Sequence, residues 1–98
     1  MNELRVEAEH KVAGGKLVRV ELEVEEGVIK RIKITGDFFL YPEEAVFKLE
    51  EALKGVRASS ELEKLIEHEL SKQGAELLGA SPADIATAIN KALTSIKP

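Results

Sequence analysis

The stretch Gly36-Asp37-Phe38-Phe39-Leu40-Tyr41-Pro42 separates two hydrophobic periodicities of this sequence. Before it, apolar residues alternate with charged residues, as in a strand with one buried face, and after it they recur at helical spacing. Glycine adopts backbone conformations closed to other residues, aspartate accepts hydrogen bonds from nearby N–H groups, and proline suits the first helical turn. The stretch therefore predicts a shaped strand-to-helix connection, which we call the aromatic connection because it holds three of the four aromatic residues.

Three β-strands are predicted before the aromatic connection. Their even-numbered positions predict one shared buried face made of Leu4, Val6, Ala8, Val12, Val18, Val20, Leu22, Val24, Val28, Ile32 and Ile34. The odd-numbered positions are mainly charged, which is typical of an antiparallel sheet covered on one side only. Gly14-Gly15 and Glu26-Gly27 are suitable hairpin turns and predict a local meander in the order 1-2-3.

Three helices are predicted after the aromatic connection. The first runs from Pro42 to Lys54 and ends at Gly55, a residue suited to the C-terminal cap. The second begins with Ser60 and Glu63 as a capping box, and the third begins with the N-cap sequence Ser81-Pro82-Ala83-Asp84. The residues predicted to be buried by these two helices are Leu62, Leu65, Ile66, Leu70, Ile85, Ile89, Leu93 and Ile96. The predicted fold class is therefore α+β, a three-stranded antiparallel β-meander followed by three helices packed on one face.

The segment from Gly74 to Ala80 leaves three alternatives open. Leu77 and Leu78 could extend the second helix, form a short turn of their own, or meet a partner.

Length and composition exclude several classes of function. The 98 residues predict a single domain, residues 1–98, with one core. A net charge of −4 argues against a nucleic-acid or membrane surface, and no apolar run approaches the ~20 residues that span a bilayer. The lack of cysteine excludes a disulfide, a thiolate nucleophile and a Cys-ligated metal. The N-terminus has the pattern of a charged strand and not of a signal peptide, so a cytoplasmic location is expected by default.

Familiar catalytic motifs are absent from the sequence. It contains no dinucleotide-binding or P-loop motif, no serine-hydrolase elbow and no HExxH zinc motif. His10 lies on the apolar side of the first strand, where a partly buried histidine with satisfied hydrogen bonds is expected. His68 lies on a charged helix surface. The side chains next to it in sequence point in other directions around the helix and could not bind the same metal ion. No residue is predicted to be catalytic.

The glycine pair Gly14-Gly15 lies among three cations, in the sequence KVAGGKLVR of residues 11–19. One interpretation is a hairpin turn whose lysines improve solubility. The other is an anion-facing loop, in which the backbone N–H groups of the glycines and the side chain of Lys16 meet a phosphate or the acidic residues of a partner.

Phe38 and Phe39 also have two interpretations. Both rings could plug the core between the sheet and the helices. Neighbouring residues of an extended chain face opposite ways, however, so strand parity would bury Phe38 and offer Phe39 to a partner.

Together these stretches resemble the C-terminal or accessory domain of lipoate-protein ligases. The resemblance is carried by HKVAGGKLVR at residues 10–19, by Gly36-Asp37-Phe38-Phe39, by the helix from Pro42 to Gly55 and by SPADIA at residues 81–86, and it is weaker from Glu61 to Leu78. In many bacterial ligases this domain follows a catalytic domain in one chain, whereas here it is expected to stand alone, as in the two-subunit ligases of archaea. The family fold is similar to that of sulfur-transfer and iron–sulfur scaffold proteins of the SufE/NifU type.

The resemblance implies a noncatalytic accessory subunit of a heterodimeric ligase. In the family, the catalytic subunit activates lipoate with ATP to lipoyl-adenylate and then transfers the lipoyl group to a lysine of an acceptor domain. The small domain is needed mainly for activation. Lipoate and ATP with magnesium are therefore expected at the catalytic subunit and no cofactor on this chain alone. The expected partner is that catalytic subunit, with lipoyl acceptor domains contacted only indirectly and no nucleic acid or membrane. Residues expected to face the partner or the adenylate are Lys11, Gly14, Gly15, Lys16, Gly36, Asp37 and Phe39.

Two other functions stay open at this point. The chain could be a noncatalytic partner of sulfur-transfer or iron–sulfur assembly machinery, although the active cysteines of such proteins are missing. It could also be an interaction or dimerisation module that uses Phe39 and the segment with Leu77 and Leu78.

Overall fold

A three-stranded antiparallel sheet lies on one side of the protein, and helices pack against one face of it. In the computed structural model, which describes residues 3–14, 16–58 and 60–96, the strands of this sheet are β1 (Glu3–Lys11), β2 (Leu17–Glu25) and β3 (Val28–Gly36). The helices are α1 (Ala45–Leu53), α2 (Leu62–Gln73) and α3 (Pro82–Thr94), and the short strands β4 (Phe39–Tyr41) and β5 (Glu76–Leu78) form a second sheet. The predicted α+β class, a three-stranded meander followed by helices, is confirmed.

The central strand β2 shows the predicted alternation most clearly. Its apolar residues Val18, Val20, Leu22 and Val24 are each no more than 3% exposed, and they belong to the one hydrophobic cluster formed by the buried residues. On one side β2 pairs with β1, and on the other side with β3, in the order β1-β2-β3. Each fully buried aliphatic side chain contributes ~1.5–3 kcal/mol, so burial of this face stabilises the sheet.

The predicted buried face is only partly correct, since Val6, Ala8 and Val12 are half-buried and two further positions depart from it. Leu4 is 45% exposed. Val28 is half-buried and its neighbour Ile29 is fully buried instead. A register shift between Glu23 and Val24 places Ile29 opposite Val24. An extra residue in one strand reverses the parity that faces the core, so the even-numbered pattern of β3 does not extend to its start.

The first two helices begin later than predicted. The residues from Pro42 to Glu44 form a turn, in which Ala45 N–H donates to Pro42 O at 2.9 Å, and the Tyr41–Pro42 peptide is cis. Helix α1 therefore begins at Ala45 and not at Pro42.

The predicted capping box of the second helix is also wrong. Because Leu62 is the first helical residue, Glu61 occupies the N-cap position and Ser60 lies one residue too early to cap the helix. No side chain caps α2, and Ser60 N–H donates to Arg57 O at 3.0 Å in the preceding turn. Leu65, predicted to be buried, is 39% exposed, since the buried stripe of α2 is restricted to the i, i+4 positions Leu62, Ile66 and Leu70.

The predicted capping of the third helix is confirmed. The Ser81 hydroxyl accepts a hydrogen bond from Asp84 N–H at 3.2 Å, while the Asp84 carboxylate accepts one from Ser81 N–H at 2.9 Å. Pro82 is the first helical residue. Such a cap contributes ~1 kcal/mol. The residues that α3 buries are Ile85, Ala86, Ala88, Ile89 and Ala92, whereas Leu93 and Ile96 are half-buried.

The segment after α2 forms the second sheet with the aromatic connection. Gly74 ends α2 in the left-handed conformation, with φ at 66°, and β5 then pairs antiparallel with β4. Leu40 and its partner Leu77 turn toward the core, Leu40 being 8% exposed and Leu77 half-buried. The segment is therefore neither an extension of α2 nor an isolated turn.

Among the described residues, none of the helices is long and apolar enough to cross a membrane.

Candidate functional site

The structure brings most of the residues proposed from the sequence around one open concavity. Gly14, Lys16, Gly36, Asp37 and Phe39 line it together with Phe38, and its volume is about 490 Å³. We call it the hairpin concavity, because it lies between the β1–β2 hairpin and the aromatic connection.

Of the other two proposed residues, one is not part of this lining and the other is not described. Lys11 lies in β1 opposite Leu17 and does not line the hairpin concavity. Gly15 lies outside the described residues.

Gly36 allows the two sides of the concavity to approach each other closely. A Cβ atom at this position would overlap the carbonyl oxygen of Leu17, and the backbone φ is 153°. The next residue, Asp37, donates its backbone N–H to Leu17 O at 2.9 Å. The end of β3 therefore lies directly against the start of β2, and only glycine allows this approach without displacing the backbone.

The hairpin itself closes through a backbone hydrogen bond. Val12 N–H donates to Lys16 O at 2.7 Å, and Gly14 has a positive φ of 96°. Lys16 follows the turn and is exposed, so its ammonium group can reach a ligand or a partner.

The adjacent phenylalanines point in different directions. Phe38 is half-buried and packs against the core, whereas Phe39 is 57% exposed. Gly79, with φ at 90°, lies against Phe38, so a Cβ atom there would be 3.4 Å from Phe38 Cα. The orientation therefore follows the strand-parity interpretation, in which Phe38 belongs to the core and Phe39 to the surface.

The chemistry available at the hairpin concavity is that of contact and positioning. Lys16 and Asp37 provide one cation and one carboxylate, and the glycine backbone leaves the approach open. Within the described ranges, no group of His, Asp and Glu residues could hold a metal ion. The concavity can thus orient or cover a charged group.

Close to the hairpin, His10 and Asp84 form a contact that sequence reasoning did not pair. His10 Nε2 lies 3.1 Å from Asp84 Oδ1, and both side chains are about one-fifth exposed, at 20% and 22%. A carboxylate only accepts hydrogen bonds, so His10 Nε2 carries the proton. His10 Nδ1 is buried without a hydrogen-bond partner among the described groups.

The Asp84 carboxylate also completes the cap of α3. Burial raises the pKa of this carboxyl, but the hydrogen bonds from the Ser81 backbone, the Ser81 hydroxyl and His10 outweigh burial and lower the pKa below its ordinary value. The ionised Asp84 carboxylate thus connects the start of α3 to β1.

A second groove, of about 820 Å³, lies between the edge of β3 and α1. Sequence reasoning did not find it. On its wall the Glu50 carboxylate accepts a hydrogen bond from Ile34 N–H at 2.8 Å, which occupies one backbone group of the sheet edge. The groove mixes acidic, basic and apolar residues, and none of them was proposed as a site residue.

Comparison with known proteins gives a consistent result. Over residues 2–89 the chain matches the family described as bacterial lipoate protein ligase C-terminus. It is 37% identical over 75 residues to lipoate-protein ligase A subunit 2 of Thermoplasma acidophilum, a match that covers 74% of this chain and 76% of that protein. Its fold is similar, with a TM-score of 0.78 and 30% identity, to a chain from the structure of a bi-partite lipoate protein ligase and its E2 lipoyl domain from the same organism. That similarity covers 90% of this chain and 97% of the other.

Proposed function

The chain belongs to the family of lipoate-protein ligase C-terminal domains, and from this premise we propose that it is the accessory subunit of a two-part ligase. Membership of the family predicted from the sequence is confirmed. The observation that carries the proposal is the similarity, over 90% of the chain, to a chain of a bi-partite ligase.

We assign to this subunit a role in the activation of lipoate. The catalytic subunit binds lipoate and ATP with magnesium, and it forms lipoyl-adenylate. This chain provides no cluster of residues for a metal in its described part, so no step is assigned to a metal bound here. We also propose a cytoplasmic location for the complex.

The hairpin concavity is the part of this chain that we propose faces the reacting groups. Lys16 brings a positive charge, and the glycine backbone permits close approach to a phosphate. Covering the catalytic site would exclude water from the mixed anhydride and hold the lipoate carboxylate for attack on the α-phosphate. These are positional effects that a domain without catalytic residues can supply. The subunit must then move aside before an acceptor domain reaches the adenylate.

Reconstitution tests this function. Pyrophosphate release from ATP in the presence of lipoate is measured for this chain alone, for the catalytic subunit alone and for their mixture. We expect no activity from this chain alone and a large increase on mixing. Adenylate formation by this chain alone, or a mixture no more active than the catalytic subunit, would contradict the proposal.

Affinity capture with this chain as bait separates the other two functions considered. An accessory subunit captures the catalytic ligase subunit, a partner of sulfur assembly captures a desulfurase or scaffold, and a dimerisation module captures only its own copies.

A further inference from the structure

The pairing of β4 with β5 creates an apolar surface that neither segment has alone. Phe39 is directly opposite Leu78, so their side chains share one face of the two-stranded sheet, and Tyr41 lies on the same face two residues later. These three side chains are 57%, 46% and 49% exposed. We call this surface the β4–β5 face.

The two rings on this face are stacked. Phe39 and Tyr41 have ring centroids 6.4 Å apart and planes only 9° from parallel. Below them, Leu40 and Leu77 anchor the two strands in the core. A surface already ordered in this way loses little conformational freedom when it binds, which favours affinity.

Clustering distinguishes this surface from ordinary exposed apolar residues. The other large hydrophobic side chains exposed in the described part of the chain, Leu4, Phe47 and Leu65, belong to three different elements, β1, α1 and α2. Single exposed apolar residues are normal on monomers, whereas a contiguous group with a polar rim indicates an interaction site.

On the side of Tyr41 the rim of the β4–β5 face is acidic, whereas Lys16 lies on the side of Phe39, in the lining of the hairpin concavity. Glu76 is paired with Tyr41 across the two strands, and Glu43 and Glu44 follow the Tyr41–Pro42 peptide. All three carboxylates are on exposed residues. A complementary partner therefore presents an apolar centre with basic residues on the side that meets these carboxylates.

We propose that the β4–β5 face binds the catalytic subunit of the ligase through an apolar patch bordered by basic side chains. This inference rests on the proposed function. It also explains how the hairpin concavity is positioned, because Phe39 belongs to both surfaces. Docking the β4–β5 face would place the concavity beside the interface, where it can reach the reacting groups.

Titration calorimetry with the catalytic subunit tests the docking surface. Leu78→Asn is the main variant, since Leu78 lies on the β4–β5 face and does not line the hairpin concavity. Leu65→Asn, on an exposed leucine of α2, is the matched control. We expect Leu78→Asn and Tyr41→Ala to raise Kd at least tenfold and Leu65→Asn to change it less than twofold. Thermal melts verify that each variant is folded.

A charge reversal provides a second test that does not depend on apolar truncation. Glu76→Lys should slow association with the catalytic subunit, because it removes an attractive charge from the rim. It should also reduce the increase in association rate that is expected at low salt. Glu67→Lys, at an exposed position of α2, is the control.

The outcomes separate this inference from the proposed function. Normal binding by both Leu78→Asn and Glu76→Lys, with full activation of lipoate, would overturn the docking surface and leave the accessory function intact. A wild-type chain that neither binds nor activates the catalytic subunit would overturn the function itself. Concentration-dependent self-association that Leu78→Asn abolishes, with unchanged binding of the catalytic subunit, would assign the face to a second copy and also overturn the inference.

Discussion

His10 Nε2 and Asp84 Oδ1 lie 3.1 Å apart and join the strand that enters the β1–β2 hairpin to the first turn of α3. Asp84 at the same time accepts a hydrogen bond from the Ser81 backbone at 2.9 Å, which caps the helix. One side chain thus links two elements from opposite ends of the chain. This contact joins the end of β1 to α3. The β1–β2 hairpin that follows this end of β1 carries Lys16, which lines the hairpin concavity.

The first prediction concerns the pH dependence of stability. The folded-state pKa of Asp84 is lowered from its ordinary value. A lowered carboxyl pKa adds stability above the unfolded-state value, near 3.9, and this stability is lost as the pH falls through the folded-state pKa. Asp84→Asn should therefore lower stability by ~1 kcal/mol or more at pH 7, and the difference from wild type should shrink below about pH 4.

Thermal melts from pH 7 to pH 2.5 measure this difference. Glu67→Gln is the control, because Glu67 is an exposed helix residue. A difference between Asp84→Asn and wild type that stays constant down to pH 2.5 would show that the Asp84 charge has no role in stability.

The second prediction concerns Gly36. Alanine at this position would overlap Leu17 O, whereas alanine at Gly55, which also has a positive φ of 84°, would meet no atom within 4 Å. Gly55→Ala should cost the ~1–2 kcal/mol of a left-handed alanine alone. Gly36→Ala should cost more, because it also separates the start of β2 from the end of β3. Urea denaturation of both variants checks the order, and equal losses would mean that the close approach at Gly36 contributes nothing.

The third prediction divides the two phenylalanines. Phe38→Ala removes a ring packed against the core and should lower stability by ~2–3 kcal/mol, less than the ~3–5 kcal/mol of a fully buried ring because Phe38 is half-buried. Phe39→Ala should leave folding nearly unchanged and weaken binding of the catalytic subunit by ~2 kcal/mol, as expected for an interface hot spot. Denaturation and titration calorimetry on both variants decide between the roles. Large, equal stability losses with unchanged affinity would assign both rings to the core.

The fourth prediction compares two lysines of the hairpin. Lys16 lines the hairpin concavity, and Lys11 does not. Both are exposed, so alanine at either position should change stability by less than ~0.5 kcal/mol. Only Lys16→Ala should reduce pyrophosphate release when the chain is mixed with the catalytic subunit. Equal activity of the two variants would support the other interpretation, in which the hairpin is a simple turn whose lysines improve solubility.

Much of the hairpin concavity could be predicted, because its parts are close in the meander. In the order β1-β2-β3 the start of β2 must lie beside the end of β3, so Lys16 and Asp37 approach each other. The position of Lys11 was not predictable in this way. Whether a residue at the end of β1 turns toward the concavity depends on the register of the hairpin and not on residue type.

Tyr41 was missed as a surface residue for a different reason, and the pairing of Leu78 with Phe39 was not predicted. The alternation of exposed Phe39 and Tyr41 around buried Leu40 is a strand pattern, but three residues are too few for a periodicity to stand out. The pairing of β4 with β5 also joins segments separated by two helices.

The sequence by itself determined the features that depend on neighbouring residues. These include the alternation in β2, the hairpin turns, the Ser81 cap of α3 and the motifs that identify the ligase family, since each is set by residues a few positions apart. Only the tertiary structure decided the bulge that buries Ile29, the β4–β5 pairing and the contact of His10 with Asp84. Those features depend on which distant segments meet when the core packs, and local propensity carries no information about that choice.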